Sequence, residues 1–344
     1  MGFCKSLTFT ALLWVLVVPA VQAADSPTCV LTRLVNIEMK LDRSGRPIIP
    51  VTINGVPKWA LIDTGGAFSS MTDTAVKDLK LKTALYPKHN IYFINGKSPS
   101  EMAFTDRFVA GQLNLAHASN GLYFAVDEPL HASDEFGATL SADILHLFDV
   151  ELDFGAHTFQ LFLQTTCGEN VVHWTNDEPA VVPFETNKVD WVIEQQQMVG
   201  TGVGATSSDP GTTITPNSRT TNKMIKVPEW HMIARGRLDG VDVDVIINTG
   251  SPTSTIIAED AKDVMASRPS GTQDDPARPF KKLTIGSLTV DDPQIVIQNV
   301  KLTRTETIGR VRPQVVLGAT VLRRLHFYIA YKDEKIYLTE AKPH

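Results

Sequence analysis

Two stretches of this sequence bring an apolar run up to a residue that could act on a proton or a carbonyl. Ala60-Leu61-Ile62 leads into Asp63-Thr64-Gly65-Gly66, and 185 residues on, Val245-Ile246-Ile247 leads into Asn248-Thr249-Gly250-Ser251. A buried strand ending in such a turn delivers one side chain to the rim of a core. The glycine lets backbone approach backbone, and the threonine hydroxyl can hold the turn by a hydrogen bond. Two carboxylates facing each other can hydrolyse an amide, one ionised and one protonated, because like charges about 3 Å apart cannot both ionise. The ionised one takes a proton from water and the protonated one donates to the carbonyl oxygen. Here the second position is an amide. Asn248 can offer an N–H but cannot give up and recover a proton, and a general acid–base group is worth roughly 10² to 10⁴ in rate. With no acid facing it, Asp63 is expected to titrate near its ordinary value of about 3.9.

The elements that must position these residues are duplicated. Val51 to Leu79 lies against Gly236 to Val264 without a gap, and Asp63 falls on Asn248. Ile144 to Leu161 then matches Val321 to Leu338 at an offset of 177, so the second copy is eight residues shorter between the two blocks. A period this long means two related domains and not a solenoid. Within the first copy, Val35 to Leu41 and Ile48 to Ile53 read as strands, with turns at Arg43-Ser44-Gly45 and Asn54-Gly55. Asn-Gly between apolar runs is a strong hairpin signal. Thr72 to Leu81 has helical spacing, with Thr72 or Asp73 as N-cap, and Ala258 to Ser267 is its counterpart.

Two Asx-Thr-Gly turns, each closing an apolar strand in one half of a duplicated chain, resemble the pepsin-like and retropepsin-like aspartic proteases, most closely their two-lobed bacterial periplasmic branch. The resemblance runs over most of the chain after its N-terminal segment. It implies a mainly β fold of two duplicated retropepsin-like (acid protease) β-barrel lobes with a few short helices. It implies peptide or protein as substrate, no metal and no organic cofactor. The catalytic position is Asp63, with Asn248 as its degenerate partner, and Thr64, Gly65, Thr249, Gly250 and Ser251 support the two loops. Ile91 to Ile94, the turn Asn95-Gly96-Lys97 and a return through Ala103 to Val109 stand where the family has its flap, which places Ile94, Asn95 and Gly96 over the substrate cleft. The plainer reading is a surface hairpin without a lid role. No matching hairpin is evident after Ala258 to Ser267, so one flap is expected, from the first lobe.

The family also closes each lobe with an apolar-apolar-Gly element packed behind the loop. Val316-Leu317-Gly318 keeps it, but the first copy has Thr139-Leu140-Ser141. Gly66 is a second departure, because the family often has Ser or Thr there to bond the outer carboxylate oxygen; the other copy retains a serine at that position, Ser251.

At 344 residues, 43% hydrophobic and 20% charged, the chain has room for two cores and is not expected to be disordered. Residues 1–23 read as a signal peptide: Lys5, an apolar run from Leu7 to Val21, and Val21-Gln22-Ala23 as cleavage site. A membrane anchor is the alternative, although the run falls short of the roughly 20 residues a span needs. Cleavage removes Lys5 and Cys4, moving the formal charge from -6 to -7 and leaving Cys29 and Cys167. An even pair in an exported chain points to a disulfide, with two free buried thiols as the alternative. The expected location is therefore periplasmic or secreted, without a membrane span in the mature chain.

The organisation expected is a first lobe over 24–180, an inter-lobe connection over 181–225, and a second lobe over 226–344. Met198 to Asn222, rich in Gly, Ser, Thr and Pro, reads as a mobile loop or linker. Gly200 to Gly204 lacks the Gly-Lys-Ser/Thr ending of a phosphate loop, no Gly-x-Ser-x-Gly or His-Glu-x-x-His is present, and no basic patch invites nucleic acid. Three functional readings follow: an aspartic endopeptidase impaired by Asn248, a degenerate protease that binds peptides without cutting them, and an unrelated β-rich envelope protein. Pairing two first lobes between chains would let Asp63 meet Asp63. The duplicated lobe should already occupy that face, so a monomer with intramolecular lobe pairing is expected.

Overall fold

The computed structural model describes residues 29–85, 101–116, 121–127, 136–198, 218–268, 279–299 and 312–342. The chain is mainly β, in two sheets, with short helices at Asp73–Asp78, Ala142–Leu145, Ala258–Ala266 and Ala319–Leu322. Pro47–Ile53 and Val56–Asp63 form an antiparallel hairpin. Asn54 and Gly55 both take positive φ, +50° and +83°, which the tight right-twisted turn between such strands requires. Along Val56–Asp63 burial deepens from exposed Val56 to buried Ala60, Leu61 and Ile62. The strand thus drives into the core and lets Asp63 emerge at its rim. Thr72 caps the first helix, its hydroxyl accepting from Ala75 N at 3.1 Å.

One sheet belongs to the first half. Its central order is Leu122–Asp127, Ser70–Thr72, Ala138–Ser141, Val56–Asp63, Pro47–Ile53. Ala138–Ser141 runs parallel to the Asp63 strand, pairing Leu140 with Ile62 and Ser141 with Asp63. In the second half Gln314–Leu317 runs parallel to Val241–Ile247 in the same way, pairing Leu317 with Ile247.

The larger sheet joins the halves. Arg33–Glu38, Thr158–Phe162 and Asp149–Asp153 come from the first half, and Leu325–Ala330, Lys335–Glu340 and Ala180–Met198 continue it. At the seam Val150 pairs with Ile329 and Leu152 with Phe327. Residues 327 and 329 are the repeat counterparts of 150 and 152, so the seam carries the twofold relation of the duplicated sequence. The seam also buries charge. Glu151 accepts from Gln160 Nε2 at 2.8 Å and meets His173 Nε2 at 2.8 Å and His326 Nε2 at 3.1 Å. The other ring nitrogen of His326 lies 3.2 Å from Asp153 Oδ2, and Trp174 stacks on the ring at 4.0 Å. Buried charges need partners of this kind, and here they come from both halves.

Cys29 and Cys167 form a disulfide that ties the start of the first half to the segment after Thr158–Phe162. Among the described residues no helix is long and apolar enough to cross a membrane.

Two expectations need correction. The inter-lobe connection is not an open linker at its ends: Ala180–Met198 and Ser218–Leu238 pair as long antiparallel strands, so Met198 and residues 218–222 belong to a ribbon. Residues 199–217 lie outside the described residues. The return strand expected from Ala103 to Val109 is also two strands, since Glu101–Thr105 pairs with Lys82–Leu85 whereas Phe108–Ala110 turns to pair with Pro47–Ile53. Thr105 Oγ1, bonded to Asn54 Oδ1 at 2.7 Å, anchors the break. Ile94, Asn95, Gly96 and Lys97 fall in 86–100, outside the described residues.

Candidate active site

The two Asx-Thr-Gly turns meet and complete each other. Thr64 Oγ1 donates to Ile247 O at 2.8 Å and accepts from Thr249 N at 3.2 Å. Thr249 Oγ1 donates to Ile62 O at 2.6 Å and accepts from Thr64 N at 3.1 Å. Both threonines are fully buried, so each hydroxyl satisfies a backbone donor and a backbone acceptor of the opposite loop that water cannot reach. A β-branched side chain at a strand end gives the hydroxyl a stiff perch.

This exchange brings the loops close enough that only glycine fits between them. A Cβ at Gly65 would sit 2.3 Å from Asn248 Cγ, and one at Gly250 would sit 2.4 Å from Asp63 Cγ. Asp63 therefore rests over Gly250, and Asn248 over Gly65. Asp63 Oδ1 accepts from Gly65 N at 3.1 Å and Gly66 N at 2.9 Å. Asn248 Oδ1 accepts from Ser251 N at 2.9 Å. Because a backbone N–H must face the oxygen of an amide, this bond leaves the Asn248 NH2 as the group offered over the Asp63 loop, with Nδ2 2.5 Å from where a Gly65 Cβ would stand.

Burial pushes the Asp63 carboxyl above its ordinary value. The N–H groups of Gly65 and Gly66, the Arg46 guanidinium and the Gly250 N–H oppose the rise without cancelling it. The expectation that Asp63 titrates near 3.9 is therefore corrected: losing the second acid does not normalise it, because desolvation alone raises a carboxylate. Arg46 is itself buried and held in an ion pair with Asp42 at 2.6 Å.

Behind each loop stands the same brace. Ser69 Oγ accepts from Ser141 N at 2.9 Å, and Ser254 Oγ from Gly318 N at 3.1 Å. Ser69 N donates to Asp143 Oδ1 at 2.9 Å, and Ser254 N to Thr320 Oγ1 at 3.3 Å. Ser69 Oγ also donates to Asp143 Oδ1 at 2.6 Å. Burial pushes the Asp143 carboxyl up to about 6 against the hydrogen bonds from Ser69. The signal for this brace was present in the repeat, where Ser69 falls on Ser254 and Asp143 on Thr320, but neither carries a recognisable motif.

Asp63, Thr64, Gly65, Asn248, Thr249, Gly250 and Ser251 thus assemble at one place, whereas Ser251 Oγ turns away from Asn248 to donate to Thr253 O at 2.8 Å. Among the described residues no group of three His, Cys, Asp or Glu is arranged to hold a metal ion. What the arrangement offers chemically is one carboxyl with raised proton affinity beside one fixed amide donor. The sequence profile of the family described as "Aspartyl protease" matches residues 49–121, a segment that contains the Asp63 strand and loop. No curated protein matches the chain.

Proposed function

We propose, from the match of residues 49–121 to the aspartyl protease family around Asp63, that the chain is an aspartic-type endopeptidase whose turnover is held down by Asn248. The observation that carries the reading is the reciprocal threonine exchange, which sets Asp63 and Asn248 over each other's glycines as a dyad requires. Asp63 takes a proton from water as the water oxygen adds to the peptide carbonyl carbon. Asn248 hydrogen-bonds the carbonyl oxygen in place of protonating it. The proton on Asp63 passes to the leaving nitrogen as the C–N bond breaks. The tetrahedral oxygen is stabilised by an N–H but never neutralised, so the rate falls short by roughly the 10² to 10⁴ that a general acid contributes.

A second reading is a pseudoprotease that binds peptides without cutting them, and the observation favouring it is Asn248 itself. Cleavage of a broad peptide library from acid to neutral pH, by wild type, Asp63→Ala and Asn248→Asp, separates the two. Slow wild-type cleavage abolished by Asp63→Ala and raised by Asn248→Asp is expected. A silent wild type that gains activity with Asn248→Asp replaces the peptidase reading with the binding one.

The same proposal places the protein outside the cytoplasm with residues 1–23 cleaved, supported by the Cys29–Cys167 bridge, which suits an oxidising compartment. It acts as a monomer, because Leu325–Ala330 already occupies the edge of Asp149–Asp153 that a second first lobe would need. The lobes are 24–180 and 226–344 with the ribbon between them.

A further inference from the structure

Two departures in the first lobe, Gly66 in the loop and Ser141 behind it, meet at one point. A Cβ at Gly66 would stand 2.6 Å from Ser141 Oγ and 2.7 Å from Asp63 Oδ2. The hydroxyl and the carboxylate oxygen therefore flank the space left by the missing side chain of Gly66. Ser141 is fully buried, and among the described residues its Oγ has no hydrogen-bond partner, although buried hydroxyls are nearly always paired. Both bonds that the loop itself makes to the carboxylate, from Gly65 N and Gly66 N, fall on Oδ1.

The second lobe has the opposite arrangement. Its loop carries the serine, Ser251, and its brace carries the glycine, Gly318. A Cβ at Gly318 would strike Thr253 O at 2.3 Å and Ser251 O at 2.9 Å, so that lobe cannot put a side chain on the brace. In the first lobe the residue corresponding to Thr253 is Phe68, and Ser141 is accommodated. The backbone around the exchange is otherwise matched: Ala142 N donates to Gly66 O at 3.0 Å and Ala319 N to Ser251 O at 2.8 Å. The Ser69 hydroxyl holds the Ser141 backbone, which fixes the strand end from which its side chain projects.

We propose that Ser141 is the positioning residue for Asp63: it supplies from the neighbouring strand the hydroxyl that the second lobe keeps on its own loop, and a rotation about its Cα–Cβ bond turns that hydroxyl onto Asp63 Oδ2. It acts through Asp63 and touches no substrate. The inference rests on the reading that Asp63 is the working carboxyl, but its test does not need turnover.

The experiment follows the Asp63 carboxyl by carbon NMR in aspartate-labelled protein, with the signal assigned by its loss in Asp63→Asn. A hydroxyl donated to a carboxylate favours the charged form, so Ser141→Ala is expected to raise the Asp63 midpoint by about one pH unit, a tenfold change in proton affinity. Ser141→Ala removes a single atom, and an unfolding curve close to wild type shows that the titration is read on the native fold. An unchanged midpoint in Ser141→Ala overturns the proposal. If the wild type cuts no peptide, the peptidase reading fails while the titration still decides the role of Ser141.

Discussion

Replacing Thr249 with valine tests whether the threonine exchange holds the site together. Valine keeps the β-branch and the volume, so no cavity opens, and the only loss is a hydroxyl with two partners. Ile62 O, bonded at 2.6 Å, and Thr64 N, bonded at 3.1 Å, are left without a partner in a place where Thr249 and Thr64 have no exposed surface. A buried polar group left unpaired costs about 1–3 kcal/mol, which sums over two groups to about 2–6 kcal/mol. The readout is the urea unfolding midpoint at constant slope, since a changed slope would mean a changed denatured state or a broken two-state transition. Thr249→Ser keeps the hydroxyl and is expected to retain most of the stability. Thr64→Val leaves Ile247 O and Thr249 N unpaired and is expected to cost a similar amount. A Thr249→Val protein within about 0.5 kcal/mol of wild type, the range of an ordinary surface change, would refute the idea that these bonds set the loops.

Three further outcomes concern Asp143, His173 and Cys167. The Asp143 carboxyl, pushed up to about 6 from 3.8, binds its proton more tightly folded than unfolded, so it lowers stability at neutral pH and returns that stability as pH falls from about 6 to 3.8. Asp143→Asn is expected to stabilise at pH 7, on the order of 2–3 kcal/mol, and to change nothing below about pH 4, as read from thermal unfolding across pH. At the seam, burial pulls Glu151 up, but hydrogen bonds and charge from His173 and His326 outweigh it and hold it below its ordinary 4.5, whereas Glu151 holds His173 above its ordinary 6.5. The Glu151 contribution is present above 4.5 and lost as pH falls through its lowered value, and the His173 contribution is present below 6.5 and lost as pH rises through its raised value. A His173→Ala variant should lose the alkaline limb of the stability curve and weaken the acid one, because His173 is one of the two groups that hold Glu151 down. Cys167→Ser opens a loop of 138 residues and is expected to cost about 2–5 kcal/mol, measured against wild type without reductant.

Much of this was legible in the sequence wherever a local rule acts. The Asn54-Gly55 turn, the Thr72 cap and the two glycine-closed loops each follow from what a few adjacent residues can do. The duplication carried information farther, because matching Ile144–Leu161 to Val321–Leu338 already implies a twofold relation between the halves. What could not be read depends on partners far apart in the chain. The raised Asp63 is a matter of how much protein surrounds it, and Arg46 acts on it from another turn. The Glu151–His326 contact joins residues 175 apart that share no motif. Composition misled at Met198 to Asn222: Ser, Thr and Gly suggested a linker, but residues 218–222 pair with Glu194 to Met198, since a backbone ladder needs hydrogen-bonding groups and tolerates polar side chains.

The Ser251 N–H bond to Asn248 Oδ1 has a consequence for how such a chain changes over generations. An aspartate in that position would accept the same bond through an oxygen in the same place, over the same Gly65. The hydrogen-bonded loop therefore accepts either of the two residues there, and codons for Asp and Asn differ at a single base. A second buried carboxyl facing Asp63 would add a repulsion that the amide avoids, so stability favours the asparagine and only an advantage in turnover can keep the acid. Where that advantage lapses, drift removes it and leaves the fold unmarked.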